Sequence, residues 1–190
     1  MNVALRQSMT LEQFLQWEEE QELRYEFDGV RPVAMTGGTL RHNRINRNLI
    51  MALDQRLKGK PCQAFGPDVK IVVAGKVRYP DSLVTCTPNV ETGSIVNDPV
   101  VVFEIISESG GRTDRIEKLQ EYQATPSIQR YVILEQNSIG ATVFARQDDR
   151  WIGFALIEGD TLQMPEIGIE VPMAEFYAGV ELPPLPKSDR

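Results

Sequence analysis

The sequence predicts a mixed α/β fold, and three observations support this prediction. Between about His42 and Lys58, apolar residues recur at every fourth position, as on an amphipathic helix. Short apolar runs typical of strands follow this segment. A further helix pattern precedes the last of these runs, and helices interspersed with strands favour a mixed sheet with helices packed on its faces.

The composition is that of a soluble globular domain. Of the 190 residues, 42% are hydrophobic and 25% are charged. No shift in composition divides the chain, so we expect a single domain over residues 1–190, with a core at about 9–180 and a loose tail at 181–190. No apolar stretch is long enough to cross a bilayer, and the first residues lack the apolar region that would predict a signal peptide. We therefore expect no membrane partner and a cytoplasmic location.

The N-terminal part of the chain predicts a helix followed by an added hairpin. Thr10 and Gln13 form the capping-box pattern that begins a helix. A strand, a tight turn and a returning strand follow at residues 25–27, 28–29 and 30–35. Because proline cannot donate a ladder hydrogen bond, Pro32 places the returning strand at an edge.

The remaining elements follow from the same patterns. Strands are predicted at residues 69–73, 78–84, 100–107 and 128–135. Between the last two of them, Asp114 caps a helix that carries Ile116, Leu119 and Tyr122 inward. The chain then forms an added C-terminal β-hairpin, with strands at 142–146 and 151–157 around the turn at 148–149.

The rarer residues and the net charge weaken several classes of function. Cys62 and Cys86 stand far apart, so we expect two small buried thiols rather than a disulfide framework or a zinc site. His42 is the only histidine, which disfavours a zinc site and leaves a nucleophile triad only one possible base. The net charge is −7, so any surface that binds nucleic acid must be local.

One charged residue interrupts the most apolar run in the chain. Glu104 lies within residues 100–106, where an unpaired carboxylate is costly and is normally paired, protonated or bound to a metal. Asp81 stands near the start of the preceding strand. Carboxylates on paired strands lie about 5 Å apart and form a hard oxygen site suited to Mg²⁺ or Mn²⁺. For each residue alone, a turn cap at Asp81 and a basic partner for Glu104 explain the sequence at least as well.

Further polar residues could complete such a site. Asp114, Lys118 and Tyr122 share one face of their predicted helix. Lys118 either pairs with Asp114 or turns toward the carboxylates, where it would orient a water molecule or the transition-state phosphate. Glu26 and Asp68 are either further acidic residues of the site or partners of nearby arginines.

The start of the helix near His42 could hold a phosphate group. Arg41, His42 and Arg44 cluster there, with Arg47 one turn further on. A helix N-terminus offers unpaired backbone N–H groups and the positive end of the helix dipole. An exposed polar helix start explains the same residues equally well.

Taken together, these residues resemble a known family. The chain has, from about residue 9 to residue 180, motifs in the order found in the bacterial Uma family of endonucleases: Arg24-Tyr25-Glu26 with Asp28-Gly29, Arg41-His42-Asn43, Tyr79-Pro80-Asp81, Phe103-Glu104-Ile105-Ile106-Ser107, Asp114-Arg115 with Glu117-Lys118, and Glu121-Tyr122 with Pro126-Ser127. That family is placed in the PD-(D/E)XK, or restriction-endonuclease-like, superfamily. The resemblance implies a restriction-endonuclease-like core and Mg²⁺-dependent cleavage of DNA.

The resemblance also implies roles for individual residues. Asp81 and Glu104 would be the two acids of the catalytic motif, and Glu26 would be an upstream acid at the metal. The superfamily's lysine is expected two residues after the second acid, where this chain has Ile106. The family instead points to Lys118 on the following helix.

Three hypotheses of function remain at this stage. The first is a Mg²⁺- or Mn²⁺-dependent endonuclease acting on DNA. The second is a catalytically weak or inactive member that binds nucleic acid or a protein. The acidic composition favours it, as does Glu108, which stands where the resemblance to the family leads us to expect a proline. The third is a homodimer scaffold with the C-terminal hairpin as its interface.

Overall fold

A six-stranded mixed sheet organises the fold. The computed structural model describes residues 8–35, 37–106 and 112–184. Its elements are, in chain order, α1 Leu11–Glu18, β1 Tyr25–Phe27, β2 Pro32–Ala34, α2 Leu40–Leu57, β3 Gln63–Phe65, β4 Ile71–Val73, β5 Lys76–Arg78, β6 Ser82–Thr85, β7 Pro99–Ile106, α3 Arg112–Gln123, β8 Arg130–Glu135, β9 Gly140–Gln147, β10 Arg150–Ile157, β11 Thr161–Met164, β12 Ile169–Pro172 and α4 Met173–Phe176.

The strands form one large and two smaller sheets. The central sheet has the order β10-β9-β8-β7-β6-β3, the second sheet β2-β1-β5-β4, and β11 pairs with β12. Within the central sheet, β7 and β8 are parallel and every other pair is antiparallel. Parallel neighbours need a crossover connection, which the segment containing α3 supplies. The predicted mixed sheet with flanking helices is confirmed.

The central sheet is buried on both faces, and this places Glu104 on the side of α3. On one face, Val101 and Phe103 pack with α2 and with the C-terminal elements β11, β12 and α4. On the other face, Val102 packs with Tyr122 of α3. Because side chains alternate along a strand, Glu104 shares the face of Val102. The helix that follows β7 therefore covers this carboxylate.

The predicted strand over residues 78–84 is wrong, because the chain forms two strands that belong to different sheets. β5 ends at Arg78 in the second sheet, and β6 begins at Ser82 in the central sheet. Pro80 lies between them and has no N–H to continue a ladder. The segment from Tyr79 to Asp81 therefore crosses from one sheet to the other.

Two details of the helix α3 also differ from the prediction. The helix begins at Arg112, so Asp114 lies in the first turn rather than at the N-cap, and its side chain is outside the described residues. Ile116 is 48% exposed rather than inward. The buried face of the helix carries Lys118 and Tyr122, one turn apart. The prediction assumed that apolar residues mark the buried face of this helix, so it could not identify a buried face that contains Lys118.

The two cysteines are joined in a disulfide rather than forming free thiols. Cys62 is bonded to Cys86 across 24 positions of sequence. Cys62 directly precedes β3 and Cys86 directly follows β6, and Gln63 pairs with Thr85 in this antiparallel pair. The cysteines therefore face each other across the pair, which their spacing could not reveal because β3 was not predicted.

Several predictions for the ends of the chain are confirmed, and one layer was missed. Thr10 and Gln13 make the capping box of α1, and both predicted hairpins form, as β1–β2 and β9–β10. The sequence analysis missed β11, β12 and α4, which cover one face of the central sheet. No helix in the described part of the chain is long and apolar enough to cross a membrane. Residues 185–190 of the predicted tail, and Glu108, lie outside the described residues.

A buried ion pair holds α1 against the body of the protein. Glu18 accepts a hydrogen bond of 2.5 Å from Lys70 Nζ and one of 2.6 Å from Tyr79 Oη. The side chains of Glu18 and Lys70 are 7% and 4% exposed. Charges this deeply buried are tolerated only when each is compensated.

We expect Lys70→Met to lower the free energy of unfolding by about 3–5 kcal/mol, because it leaves Glu18 buried without its cation. The double variant Glu18→Leu/Lys70→Met should regain part of this loss, since an apolar pair has no charge to compensate but Tyr79 Oη loses its acceptor. Urea denaturation followed by tryptophan fluorescence measures both. A single variant as stable as the wild type would contradict the buried pair.

Candidate active site

The predicted acidic residues Glu26, Asp81 and Glu104 line one cavity. It has a volume of about 400 Å³ and opens where the β1–β2 hairpin, the start of α2, the start of β6, the end of β7 and α3 meet. Its lining residues are Glu26, Val33, Ala34, Met35, His42, Tyr79, Asp81, Glu104, Ile105 and Lys118. Residues from five separate elements thus share one open site.

Glu104 is held at this site by two side chains of α3. Lys118 Nζ donates to Glu104 Oε1 at 2.9 Å, and Tyr122 Oη donates to the same oxygen at 3.2 Å. Glu104 is 6% exposed. Burial raises the pKa of Glu104 to about 7, with Lys118 opposing this rise and the charges of Asp81 and Glu26 adding to it. The carboxyl group therefore stands near a site with an excess of negative charge.

Asp81 lies beside Glu104 because of the register of the two strands. Ser82 of β6 pairs with Phe103 of β7, so the residue before one is opposite the residue after the other. Asp81 Oδ2 accepts a hydrogen bond of 2.7 Å from the backbone N–H of Ile105. Its other oxygen, Oδ1, lies 3.0 Å from His42 Nε2. The carboxylate is thus fixed in orientation on both sides.

His42 gains a pKa above its ordinary value from this contact. The hydrogen bond with Asp81 is the main cause, burial opposes it, and the charges of Asp81 and Glu104 add to it. Thr39 caps the helix by accepting from the backbone N–H of His42, which directs the first turn of α2 into the cavity. A protonated imidazole here offers positive charge and a donor at the mouth of the site.

Glu26 is held by an arginine that the sequence analysis did not identify. Its carboxylate accepts from Arg78 Nη1 at 3.0 Å and from the backbone N–H of Tyr79 at 3.2 Å, and lies 3.4 Å from Lys118 Nζ. Arg78 also makes two hydrogen bonds of 2.7 Å to Glu121. The alternative, that Glu26 simply pairs with Arg24 or Arg31, is not seen, because those residues pair with Asp68 and Asp28.

Arg78 and Glu121 thus form a buried link between β5 and α3 that bears on the site. Both side chains are 5% exposed, and Lys76 adds a third contact to Glu121 at 2.8 Å. In the sequence, Glu121 stands three residues after Lys118, and Arg78 stands three residues before Asp81. Nothing in those spacings indicates that the two side chains meet.

Three other predicted site residues do not line the cavity. Arg41 donates to the backbone carbonyl of Glu181 at 2.9 Å and to Asn137 Oδ1 at 2.8 Å. Arg44 donates to the backbone carbonyl of Gly179 at 3.0 Å. Asp68 is exposed and lies 2.6 Å from Arg24. Arg41 and Arg44 therefore face the C-terminal segment, next to the mouth of the site that His42 enters.

The donor set of the cavity fits a hard divalent cation. Among the described residues, no group of three or more His, Cys, Asp or Glu side chains is arranged to bind a metal ion. In the cavity, Lys118 lies between the carboxylates of Glu104 and Glu26. Carboxylate oxygens are nevertheless the ligands that Mg²⁺ and Mn²⁺ prefer. The mutual repulsion of Asp81, Glu26 and Glu104, which contributes to the raised pKa of Glu104, is what such a cation would relieve.

A mixed sheet with flanking helices and an acid and lysine cavity at one end defines the restriction-endonuclease-like class. A solved structure has the same fold: the crystal structure described as a "putative nuclease belonging to DUF820" from Anabaena variabilis gives a TM-score of 0.71 at 17% identity, covering 90% of this chain and 98% of that one. The chain belongs to the Uma2 family, described as "Putative restriction endonuclease", which matches residues 11–174.

Two proteins of Synechocystis are similar to this chain over most of their length. The protein slr1290 is 29% identical over 173 residues, which cover 89% of this chain and 91% of that protein. The protein sll1609 is 26% identical over 158 residues, which cover 80% and 89% of the two chains.

Because Glu104 is buried and its pKa is raised, we expect an unusual pH dependence of the free energy of unfolding when a chelator has removed divalent ions. Its pKa rises from an ordinary 4.5 to about 7 on folding, so the folded state binds the proton more tightly than the unfolded state. This contribution is fully present below about pH 4.5 and is lost as the pH rises through about 7.

We expect the free energy of unfolding of the wild type to fall across this pH range relative to that of Glu104→Gln, by on the order of 1–3 kcal/mol. Urea denaturation in EDTA across the range measures the difference. Curves that run parallel for the two proteins would show that Glu104 does not titrate in this way.

Proposed function

We propose that this chain is a Mg²⁺- or Mn²⁺-dependent endonuclease that hydrolyses DNA phosphodiester bonds in the cytoplasm. Membership of the Uma2 family supports a nuclease. The observation that carries the proposal is the placement of Lys118, whose Nζ lies 2.9 Å from Glu104 in a cavity that Asp81 also lines. Two acids can hold a divalent ion, and a lysine beside them can stabilise the charge that develops on the phosphate.

Asp81 and Glu104 would hold the metal, with Glu26 as a further acid. When bound, the ion polarises the phosphate and lowers the pKa of a water molecule. The backbone N–H of Ile105 and the imidazole of His42 keep the Asp81 carboxylate in place. Arg78 and the backbone N–H of Tyr79 do the same for Glu26. Each acid thus enters the reaction already oriented.

Lys118 supplies the donor for the attacking water or the developing phosphate charge. Its ammonium has three protons and contacts Glu104 and Glu26, so it can exchange one carboxylate contact for a phosphate oxygen. Tyr122 supports this arrangement by holding Glu104 Oε1 from the next turn of the same helix. Asp68 pairs with Arg24 away from the cavity and has no part in this proposal, whereas Asp114 keeps the supporting role expected from its place on the helix of Lys118.

The phosphate backbone of DNA would pass along the N-terminal turn of α2. His42 reaches the cavity from this turn, while Arg41 and Arg44 stand beside it on contacts to main-chain carbonyls. Main-chain carbonyl oxygens carry no net charge, so these bonds do not neutralise either arginine. The three residues form the local basic surface that a chain of net charge −7 needs to approach DNA.

A second candidate function is a nuclease-fold module that binds nucleic acid or a protein without cleavage. The observation that favours it is that both central acids already have partners: Lys118 lies against Glu104, and His42 lies against Asp81. A site neutralised from within needs no metal to be stable. Metal binding and cleavage must therefore be measured separately.

Cleavage tests the first candidate directly. We expect the wild type to nick plasmid DNA with Mg²⁺ or Mn²⁺ and to lose the activity in EDTA. Asp81→Asn, Glu104→Gln and Lys118→Met should each lower the rate by about 100-fold or more, since each removes a group that acts on the reacting phosphate. Single-stranded DNA and RNA in the same assay identify the preferred substrate.

The matched control for these variants is Asp54→Asn, a neutralised carboxylate that is exposed on α2. It should cleave as fast as the wild type. Equal cleavage by the wild type and all three site variants would indicate a contaminating nuclease and remove the support for this site.

Calorimetry with Mn²⁺ separates the role of the acids from that of the lysine. We expect Asp81→Asn to weaken Mn²⁺ binding by about tenfold or more, because it removes an anionic ligand. Lys118→Met should bind Mn²⁺ at least as tightly as the wild type, because it removes a competing cation. If the wild type binds no Mn²⁺ and no variant changes this, the non-catalytic module is the better account.

A further inference from the structure

The outer strand of the central sheet is long and apolar, and no strand in the described part of the chain pairs with its outer edge. β10 has eight residues and stands at the end of the strand order, with β9 as its neighbour. Ile152, Phe154 and Ile157 are 46%, 41% and 67% exposed. Between Trp151 and Ile157 the strand has no proline and no charge, which are the features that normally prevent edge strands from pairing with another chain.

The outward backbone groups of β10 follow from the contacts of its neighbour. Arg146, which is opposite Trp151, directs its N–H away from β10 to the carbonyl of Gln129 at 2.8 Å. In an antiparallel pair this makes Trp151 a non-hydrogen-bonded position. Trp151, Gly153 and Ala155 thus direct their N–H and C=O groups away from β9. The next residue with this orientation is Ile157, whose backbone N–H already donates a hydrogen bond of 2.8 Å to Asp160 Oδ2.

One face of the strand is apolar as well. Ile152, Phe154 and Leu156 alternate along β10 and border a shallow cavity of about 460 Å³. Ala145 of β9 and Pro165 lie on the same cavity. An open strand edge beside an apolar face offers both main-chain hydrogen bonds and apolar area to a partner.

We propose that β10 pairs antiparallel with β10 of a second copy of this chain, with Phe154 at the two-fold axis. The two central sheets then join into one continuous sheet. Main-chain hydrogen bonds form between Gly153 of one copy and the partner's Ala155, because both residues face outward. The predicted homodimer thereby acquires a defined interface in the C-terminal hairpin, independent of any nuclease activity.

Charge selects this register and favours a second copy over another protein. Centring on Phe154 places Arg150 opposite the partner's Glu158, twice by symmetry, and Ile152 opposite the partner's Leu156. Centring on Gly153, which also satisfies the outward groups, places Arg150 opposite the partner's Leu156 and so forms no such charge pair. Phe154 meets its own copy at a closely spaced, non-hydrogen-bonded position, which suits an aromatic pair.

Charge reversal tests the pairing. We expect sedimentation equilibrium to show a dimer for the wild type at micromolar concentrations. Arg150→Glu and Glu158→Arg should each weaken dimerisation about tenfold, because each creates two like-charged contacts. An equimolar mixture of the two variants should recover the wild-type affinity, because the introduced glutamate of one copy then faces the introduced arginine of the other. Lys58→Glu, the same change of charge at an exposed position just after α2, should have no effect.

A second variant addresses the apolar part of the interface. Phe154→Lys should give a monomer, and its folding can be checked by circular dichroism. A monomeric wild type, a dimer insensitive to these substitutions, or a mixture no tighter than its components would each overturn the proposal. If β10 instead recruits a different protein, the pure chain stays monomeric, so that case also counts against it.

Discussion

The contact between the Glu104 carboxylate and the Lys118 ammonium is the interaction on which the rest of the site depends. A carboxylate on a strand buried on both faces must be compensated, and here the compensating charge comes from the helix that connects β7 to β8. Tyr122 adds its hydroxyl from the same helix face. Docking of α3 on the sheet and assembly of the site are therefore one event, since the same side chains accomplish both.

The short segment around Pro80 makes further polar contacts that position the site. Arg78 reaches Glu121 on α3 and Glu26 on β1, Tyr79 reaches Glu18 on α1, and Asp81 reaches the backbone of β7. Asp81 also contacts His42 of α2, so the polar contacts of this one short segment connect two sheets and three helices. The segment also carries Asp81, an acid of the cavity. These hydrogen bonds to neighbouring elements therefore help to fix the position of that acid. The site is in this sense preorganised.

The sequence was sufficient where local periodicity determines structure. The amphipathic α2, the buried β7 and both hairpins have patterns that depend only on neighbouring residues, and Glu104 was recognisable because a charge in an apolar strand demands a partner. The three-residue strand β3, and the disulfide between Cys62 and Cys86 beside it, could not be predicted from local patterns. Both depend on the pairing of Gln63 with Thr85, which is a long-range contact. Arg78 was missed for the same reason: its partners stand 52 and 43 positions away. The family order of motifs, rather than any spacing rule, indicated Lys118.

The central claim is that Asp81 and Glu104 hold a divalent metal beside Lys118. Anomalous diffraction from crystals soaked in Mn²⁺ tests it most directly. The account predicts one strong peak in the cavity, within coordination distance of about 2.0–2.6 Å of oxygens from both Asp81 and Glu104, with Lys118 Nζ displaced from Glu104 but still in the site. A cavity without a peak at saturating Mn²⁺, with the contact between Lys118 and Glu104 intact, would contradict the claim.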